Sequence, residues 1–414
     1  MEKKLEGVIT GSGAVSSEGE AIVKISSVGL LIAATIGAAV NSAPTHIIGA
    51  MMTPLQSAYG WSRAEIALAL TMSTLIHPFT NVALGLLVDR FGPRRVALPG
   101  VAAFSLGLAG LGVAGPALWS WYVAYVLFAV LTVGISYIVW TKAVVDHFDK
   151  RRGLALAFTL AGTGVMVSIV PNLVLWVDGS FGIRAVYPMI ALAAFVLIFP
   201  LAWIFLPRKT DAHKIIRKAD APHWSEVISD SRLWRMALAF VFVAACVGIF
   251  IVHLQPILTD GGMTKSAAAN VAFYIGPSLI IGRLATGVLF DIFPARLVSA
   301  VAFLLPALAC LMMMEMNFTP TSTAVLAVLI GLGMGSELDV AAYLASRYFS
   351  LAHYGLVFAI LNSVYGLAIG IAAWAAGKVY DASNSYDSVL GFLAAGCVFA
   401  VLLIVTLGKP RQSL

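Results

Sequence analysis

Long apolar runs separated by short polar segments recur along the whole chain. Each run approaches the roughly 20 residues that an α-helix needs to cross the hydrocarbon core of a bilayer. We expect about twelve crossings, near 27–57, 63–87, 96–115, 118–143, 153–176, 184–206, 234–258, 266–290, 297–316, 322–347, 355–378 and 388–408. The pattern therefore predicts an all-α integral membrane protein.

The composition supports this prediction. Of the 414 residues, 60% are hydrophobic and only 11% are charged, which is more apolar than a soluble core requires. The three cysteines, Cys246, Cys310 and Cys397, fall inside predicted crossings and lack metal-ligand spacing. We expect them to be small core residues rather than ligands of a metal.

Basic residues follow the predicted topology, so the net charge of +6 does not indicate nucleic-acid binding. If both termini are cytoplasmic, most lysines and arginines fall on the cytoplasmic side. The opposite side keeps only Arg63, Arg184, Lys265 and Lys378. Cytoplasmic loops of membrane proteins carry such an excess. We therefore expect a multi-pass protein of the cell's inner (plasma) membrane with both termini in the cytoplasm.

The two halves of the chain come into register at one fixed shift of 202 residues. The matches include Pro54 with Pro256, Gly60 with Gly262, Gly85 with Gly287, Asp89 with Asp291, Arg94 with Arg296 and Gly153 with Gly355. One constant offset over more than a hundred positions predicts two homologous bundles of about six helices. Bundles related in this way are expected to bind a substrate between them, near the middle of the membrane.

This repeat sets the expected domain boundaries. We expect an N-terminal bundle over 25–206 and a C-terminal bundle over 232–408, joined by a charged cytoplasmic linker over 207–231. Residues 1–24 are polar and rich in Ser, Gly and Glu, and they predict a disordered cytoplasmic tail, with a second short tail over 409–414. The expected functional unit is a monomer.

The segment Gly85–Arg95, GLLVDRFGPRR, ends the second predicted crossing. It resembles the signature of the major facilitator superfamily, Gly-x-Leu-x-Asp-Arg-x-Gly-x-Arg-Arg, and the second copy at 287–296 is weaker. The resemblance implies a fold of two pseudo-symmetric six-helix bundles and an alternating-access carrier. It also implies a gating role for Gly85, Asp89, Arg90, Gly92, Arg94, Arg95, Asp291 and Arg296.

A single arginine, Arg283, interrupts the apolar run 266–290 about two turns before the polar boundary at Asp291. A cation at that depth costs roughly 2.5–3.5 kcal/mol on insertion scales. Its side chain should therefore face the protein interior or a wet cavity and meet an anion. That anion can be a substrate carboxylate or a static partner on the tenth crossing.

Three stretches narrow the resemblance to the monocarboxylate porters and the related oxalate–formate exchangers. They are Tyr59–Glu65, Gly282–Leu284 and Tyr343–Phe349. In those relatives the arginine of the eighth helix binds the substrate carboxylate, which implies the same role for Arg283. A planar guanidinium suits a carboxylate and stays charged when it is partly desolvated. Because Tyr365 stands where the exchangers have a second basic residue, we expect a singly charged substrate.

Glu337 and Asp339 are the candidates for proton coupling, since both fall near the middle of the tenth crossing. Two positions on a helix differ by about 200° of rotation, so they cannot both face one cavity. We expect one to approach the substrate path and the other to be neutralised in packing. Static pairing with Arg283 or with helix ends remains open for both.

Other polar side chains could complete the site. His253 could bind substrate or relay a proton, or it could be a hydrogen-bonded core histidine. Hydroxyl or amide groups that could orient a small acid belong to Tyr137, Tyr343, Asn362 and Tyr365. Tyrosines near helix ends also serve as interface anchors.

The sequence thus predicts proton-coupled transport of small monocarboxylates, lactate- or pyruvate-like, by alternating access. Two alternatives within transport are larger amphipathic or aromatic acids or drugs, and organic anion exchange. No ATP-binding loop or cofactor motif is present, and neither a set of catalytic groups nor a sizeable output domain supports an enzyme or a sensor.

Overall fold

The computed structural model of the chain describes residues 17–148, 152–207, 224–314, 318–349 and 351–408. Most of the predicted tails and linker lies outside these residues, at 1–16, 208–223 and 409–414. The predicted N-terminal tail over 1–24 differs from the structure at its end, because the first helix begins at Ser17.

The described chain is almost entirely α-helical. Its helices are α1 Ser17–Tyr59, α2 Arg63–Phe91, α3 Pro93–Leu111, α4 Leu118–Leu131, α5 Tyr137–His147, α6 Arg152–Phe181, α7 Val186–Phe205, α8 Trp224–Ser229, α9 Ser231–Val252, α10 Leu254–Asp260, α11 Lys265–Ile292, α12 Ala295–Met314, α13 Pro320–Tyr348, α14 Leu351–Ser383 and α15 Asp387–Val405. Short 3₁₀ segments at Thr132–Ile135 and Ile183–Ala185 precede α5 and α7.

Within the described residues, ten helical segments are long and apolar enough to cross a membrane by length and composition. The segments α2 and α3 fall outside that group, yet both pack inside the N-terminal half. The chain is an all-α, multi-pass membrane protein, as the apolar runs predict.

Two hydrophobic cores divide the helices. The first is built mostly from residues of the N-terminal half, with Val252 and Ala373 added from the other half, and Trp121 and Trp140 are among its fully buried side chains. The second is built from the C-terminal half and contains Phe240, Phe303 and the three free cysteines. Each half therefore buries its own apolar surface.

The repeat at a shift of 202 residues is visible in local geometry. Ser62 caps α2 by accepting a hydrogen bond from the backbone N–H of Glu65, and Thr264 caps α11 in the same way. The loops before these helices contain Gly60 and Gly262, whose φ angles of 71° and 92° lie where glycine is favoured. The same turn chemistry thus starts the second helix of each half.

The helix directions define two ends of the bundle. We call the end where α1, α9 and α14 begin the linker face, and the end where α2 and α11 begin the far face. Near the far face, Thr71 donates a hydrogen bond of 2.7 Å to the carbonyl of Gly370 in the other half. Asn172 of α6 donates to the carbonyl of Ala269, about one turn from the far-face end of α11, at 3.2 Å. These bonds bring the two halves together in the part of the bundle that lies toward the far face.

Candidate functional site

Arg283 is buried on α11 in the middle of the molecule, with 8% of its surface exposed. Its Nε lies 3.7 Å from Oδ2 of Asp339 on α13, which is an ion-pair distance but too long for a hydrogen bond. Nε and Nη1 are buried without a hydrogen-bond partner. The guanidinium is therefore charge-compensated but poorly satisfied.

Glycine packing brings these two helices together. A Cβ added at Gly335 of α13 would stand 3.0 Å from the backbone nitrogen of Arg283, and one at Gly282 would stand 2.6 Å from the Leu332 carbonyl. Only glycine allows backbones to approach this closely. This close crossing fixes the position of α13, and so of Asp339, relative to Arg283.

The two acids of α13 have different surroundings. Glu337 is fully buried, and its Oε2 accepts a 2.8 Å hydrogen bond from Tyr365 of α14, while Oε1 has no partner. The Asp339 side chain is 32% exposed and lies beside Arg283. Asp339 is thus the more exposed of the two acids, and Glu337 is the acid enclosed by packing.

Tyr137 belongs to the other half and lies at a similar depth. It is the first residue of α5, directly after the 3₁₀ break, and its hydroxyl interacts with Asn41 and Ser42 of α1. Both Tyr137 and Tyr365 are near enough to Arg283 to interact with its charge. We call Tyr137, Arg283, Glu337, Asp339 and Tyr365 the central cluster. Its members come from both halves of the chain.

The other two sequence candidates on α13 and α14 are placed differently. The ring of Tyr343 stacks on Phe290, with centroids 4.0 Å apart and planes 6° apart, and its hydroxyl donates to the Phe290 carbonyl at 3.4 Å. Asn362 is exposed and lies one turn before Tyr365. Tyr343 therefore contributes to the contact between α11 and α13, while no described contact joins Asn362 to the central cluster.

A second polar group joins the halves at the far face, and we call it the far-face latch. Arg63, at the start of α2, makes two hydrogen bonds to Asp260, with Nη1–Oδ2 at 2.7 Å and Nη2–Oδ1 at 3.0 Å. Arg63 also donates to the Tyr386 hydroxyl at 3.0 Å, and its guanidinium lies 3.7 Å from the Tyr380 ring centroid. The Asp381 carboxylate accepts from the backbone N–H groups of Arg63 and Ala64, both at 3.1 Å.

The latch combines three favourable interactions. A bidentate guanidinium–carboxylate pair is stronger than a neutral hydrogen bond, and the aromatic ring below adds a cation–π contact. A carboxylate at the first turn of α2 also complements the helix dipole. Arg63 also donates from Nε to Gln56 of its own half at 3.2 Å. Because Asp260, Tyr380, Asp381 and Tyr386 belong to the other half, their contacts with Arg63 and Ala64 hold the far face closed.

His253 lies in this region and is fully buried. Its Nε2 is 2.7 Å from the carbonyl of Ala373 and must carry the proton, so Nδ1 accepts from the Tyr386 hydroxyl at 2.8 Å. Burial raises the pKa of Tyr386, so this hydroxyl stays protonated. Both ring nitrogens are already bonded within the protein, which favours the core-histidine alternative over substrate binding or proton relay.

The gating positions implied by the resemblance lie at the linker face. Gly92 has a φ of 81°, and this turn ends α2 and starts α3. Arg94 donates to the carbonyl of Leu206 at 3.2 Å, and Arg296, its equivalent at a shift of 202, donates to that of Val405 at 3.4 Å. Both arginines thus bind the C-terminal end of the last helix of their half, where a cation is favoured.

The remaining gating positions are less engaged in this conformation. Nothing in the described part of the chain lies within 4 Å of a Cβ added at Gly85, so a close helix approach there is not seen. Arg90, Arg95 and Asp291 are exposed. The side chain of Asp89 lies outside the described ones.

The sequence analysis missed the far-face latch. The sequence indicates Arg63 only as one of four basic residues on the far side and as part of the Tyr59–Glu65 stretch, with no interaction assigned to it. The capping box of Ser62 and Glu65 places Arg63 at the first helical position, and this local signal could have fixed its depth. Its partners Asp260 and Asp381 are 197 and 318 residues away, and no local pattern indicates them.

Comparisons with known proteins agree with this architecture. The family model described as Major Facilitator Superfamily matches residues 34–373. The oxalate:formate antiporter of Oxalobacter formigenes is 30% identical over 194 residues, which cover 46% of each chain. The niacin transporter NiaP of Acinetobacter baylyi is 29% identical over 184 residues, which cover 44% of this chain and 40% of NiaP. The aligned parts thus span less than half the length of either relative.

Solved structures show the same fold at low sequence identity. A bacterial homolog of the human lysosomal transporter Spinster has a TM-score of 0.66 at 16% identity, covering 92% of this chain and 95% of the other. A D-xylose–proton symporter has a TM-score of 0.74 at 12% identity, covering 92% and 97%. The family and these neighbours indicate a transporter rather than an enzyme. Since the family model spans most of the chain, this protein belongs to the Major Facilitator Superfamily.

Proposed function

We propose that the protein is a secondary transporter of small organic monocarboxylates, lactate- or pyruvate-like, coupled to a proton and working by alternating access. The observation that carries this proposal is Arg283. It is a buried cation at mid-membrane whose Nε and Nη1 have no hydrogen-bond partner. A group so placed is a functional-site candidate, and its natural ligand is an anion.

A substrate carboxylate fits this position better than Asp339 does. The Asp339 carboxylate stays 3.7 Å from Nε, too far for a hydrogen bond. The guanidinium can therefore still donate to a substrate carboxylate, which can bind through both oxygens. The hydroxyls of Tyr137 and Tyr365 lie near enough to contact the rest of a small acid. We assign Asn362, one turn before Tyr365, as a further donor to the substrate.

Proton coupling follows from competition for one cation. When a substrate carboxylate binds Arg283, Asp339 loses its partner and faces a second negative charge. Protonation of Asp339 removes that repulsion, because a like charge nearby disfavours the ionised form. Glu337 is the second candidate, since it is enclosed beside Tyr365 and its Oε1 has no partner.

Alternating access uses the two halves as moving bodies, which we assign to residues 25–206 and 232–408. In this conformation the far-face latch closes one end of the path. We place the linker face and both termini in the cytoplasm of a cell whose inner membrane holds the monomer, so the far-face latch is the outer gate. The gating motif at Gly85–Arg95 then lies on the cytoplasmic side.

The names of two relatives support an organic anion as cargo, since oxalate, formate and niacin are all organic acids. They also support two other functions. Niacin is an aromatic acid, which favours the larger aromatic substrates, and an antiporter favours anion exchange. In either case Arg283 would still bind the carboxylate. In anion exchange, the second anion would replace the proton as the coupled ion.

Uptake of labelled monocarboxylates into proteoliposomes tests this proposal. Arg283→Lys keeps the charge but loses the planar fork, and we expect at least a tenfold loss of uptake, about 1.4 kcal/mol. Arg235→Lys, at an exposed arginine that bonds the Thr406 carbonyl, is the matched control and should transport normally. An inward proton gradient should stimulate the wild type. Equal uptake by Arg283→Lys would remove the proposed ligand, and indifference to the gradient would remove symport.

A further inference from the structure

A cavity of about 380 Å³ opens at the linker face of the N-terminal half, away from the central cluster. Arg94 and Arg95 line it, together with Trp203 near the end of α7. The cavity therefore combines two cations with a large aromatic ring. The proposed transport cycle assigns no ligand to it.

The two arginines are engaged differently. Arg94 bonds the carbonyl of Leu206, and its guanidinium lies 5.1 Å from the Trp203 ring, so its position is fixed by α7. Arg95 is exposed. The N-terminus of α3, which has no side-chain cap, borders the same cavity and adds the positive end of its dipole. All three features attract an anion with several acceptor oxygens, which describes a phosphate group.

The apolar part of the cavity indicates where that phosphate comes from. Trp203 is 53% exposed and Phe91 is 39% exposed, and Leu98 completes the lining. On α7 the neighbouring Ile204 is 64% exposed, as is common on a surface that faces acyl chains. Tryptophan near a helix end is typical of the boundary between hydrocarbon and headgroups. A ligand with both an anionic and an apolar part fits this surface.

We infer that the cavity binds the phosphate headgroup of an anionic phospholipid, with Arg94 and Arg95 on the phosphate and Trp203 and Phe91 against the glycerol and upper acyl chain. Basic pockets between transmembrane helices bind anionic headgroups on this physical basis. The site lies next to the α2–α3 turn at Gly92. A bound lipid would therefore connect that turn to the end of α7.

Native mass spectrometry of the purified full chain tests the inference. We expect the wild type to retain phosphatidylglycerol over phosphatidylcholine, and Arg95→Gln to reduce that preference about fivefold, the value of one basic residue near an anionic surface. Arg94 is left intact because it also holds the end of α7. Arg235→Gln removes an exposed arginine from the same face of the other half, and it should keep the preference.

Two further measurements locate the ligand and identify its source. Brominated phosphatidylglycerol should quench tryptophan fluorescence more in the wild type than in Trp203→Phe, by a margin that brominated phosphatidylcholine does not reproduce. Glycerol 3-phosphate and inorganic phosphate should compete only weakly. Strong binding of either one would make this a soluble-phosphate site and overturn the lipid assignment. A preference that Arg95→Gln and Arg235→Gln reduce equally would overturn the site itself.

Discussion

Removal of the Arg63 guanidinium should open the far face. Arg63→Gln loses four contacts with the other half, namely both hydrogen bonds to Asp260, the bond to Tyr386 and the contact with the ring of Tyr380, and also the bond to Gln56 within its own half. Only 7% of the Arg63 side chain is exposed, but Asp260 is 32% exposed, so solvent screens part of the interaction. The backbone bonds to Asp381 remain. We therefore expect Arg63→Gln to destabilise the closed state relative to the open state by about 2–3 kcal/mol.

That energy predicts a large change in population. Since about 1.4 kcal/mol is a factor of ten, the ratio of open to closed molecules should rise about 30- to 150-fold. Spin labels at Ser57 and Ala382, which are exposed near the far ends of the two halves, can report this ratio as a change in their distance distribution. The three native cysteines are fully buried, so background labelling should be small.

Lys265 provides the matched control. It is the equivalent of Arg63 at a shift of 202 residues, starts α11 as Arg63 starts α2, and is exposed. Lys265→Gln should leave the distance distribution unchanged. If Arg63→Gln gave the same distribution as this control in a correctly folded protein, the latch would not be what closes the far face.

Three other substitutions have defined outcomes. Gly92→Ala forces a side chain into a φ of 81° and should lower the free energy of unfolding by about 1–2 kcal/mol, which lowers the thermal midpoint. Gly85→Ala is the control, because the space around its Cβ position is open and its thermal midpoint should change little. Equal midpoints for the two variants would contradict the strain at the turn. Tyr365→Phe removes the hydrogen bond to Glu337 and leaves both of its carboxyl oxygens unpartnered, so thermal unfolding in detergent should show a loss of about 1–3 kcal/mol; an unchanged midpoint would show that this bond does not stabilise the bundle. Asp339→Asn removes the acid that competes for the neighbouring arginine, and uptake assays should show tighter substrate binding and no stimulation by a proton gradient; stimulation equal to that of the wild type would move proton coupling to another group.

The fold could be predicted from the sequence because its signals are local. Each apolar run reports one crossing, and the fixed shift of 202 residues reports the repeat without knowledge of any contact. Two details escaped this approach. Helix α1 starts at Ser17, inside a polar segment, and the fourth crossing breaks between Leu131 and Tyr137. The break depends on a neighbour that is distant in sequence, because Gly134 packs directly against Gly100 of α3.

The candidate site was predictable only in part. A lone arginine in an apolar run identifies Arg283 on energetic grounds alone. Helical rotation shows that Glu337 and Asp339 face different directions, but it cannot say which one faces Arg283. That choice is set by the glycine crossing of α11 and α13, which brings Asp339 to the arginine, while Glu337 meets Tyr365 of α14.

Equilibrium binding tests the central claim most directly, because it separates ligand recognition from the motions of transport. Isothermal titration of the purified protein with a small monocarboxylate and with its uncharged amide compares two ligands of nearly equal shape. We expect the wild type to bind the acid at least tenfold more tightly than the amide, and Arg283→Gln to lose that difference while keeping the thermal stability of a folded protein. A preference for the acid that survives Arg283→Gln unchanged would contradict the role of this arginine as the carboxylate ligand.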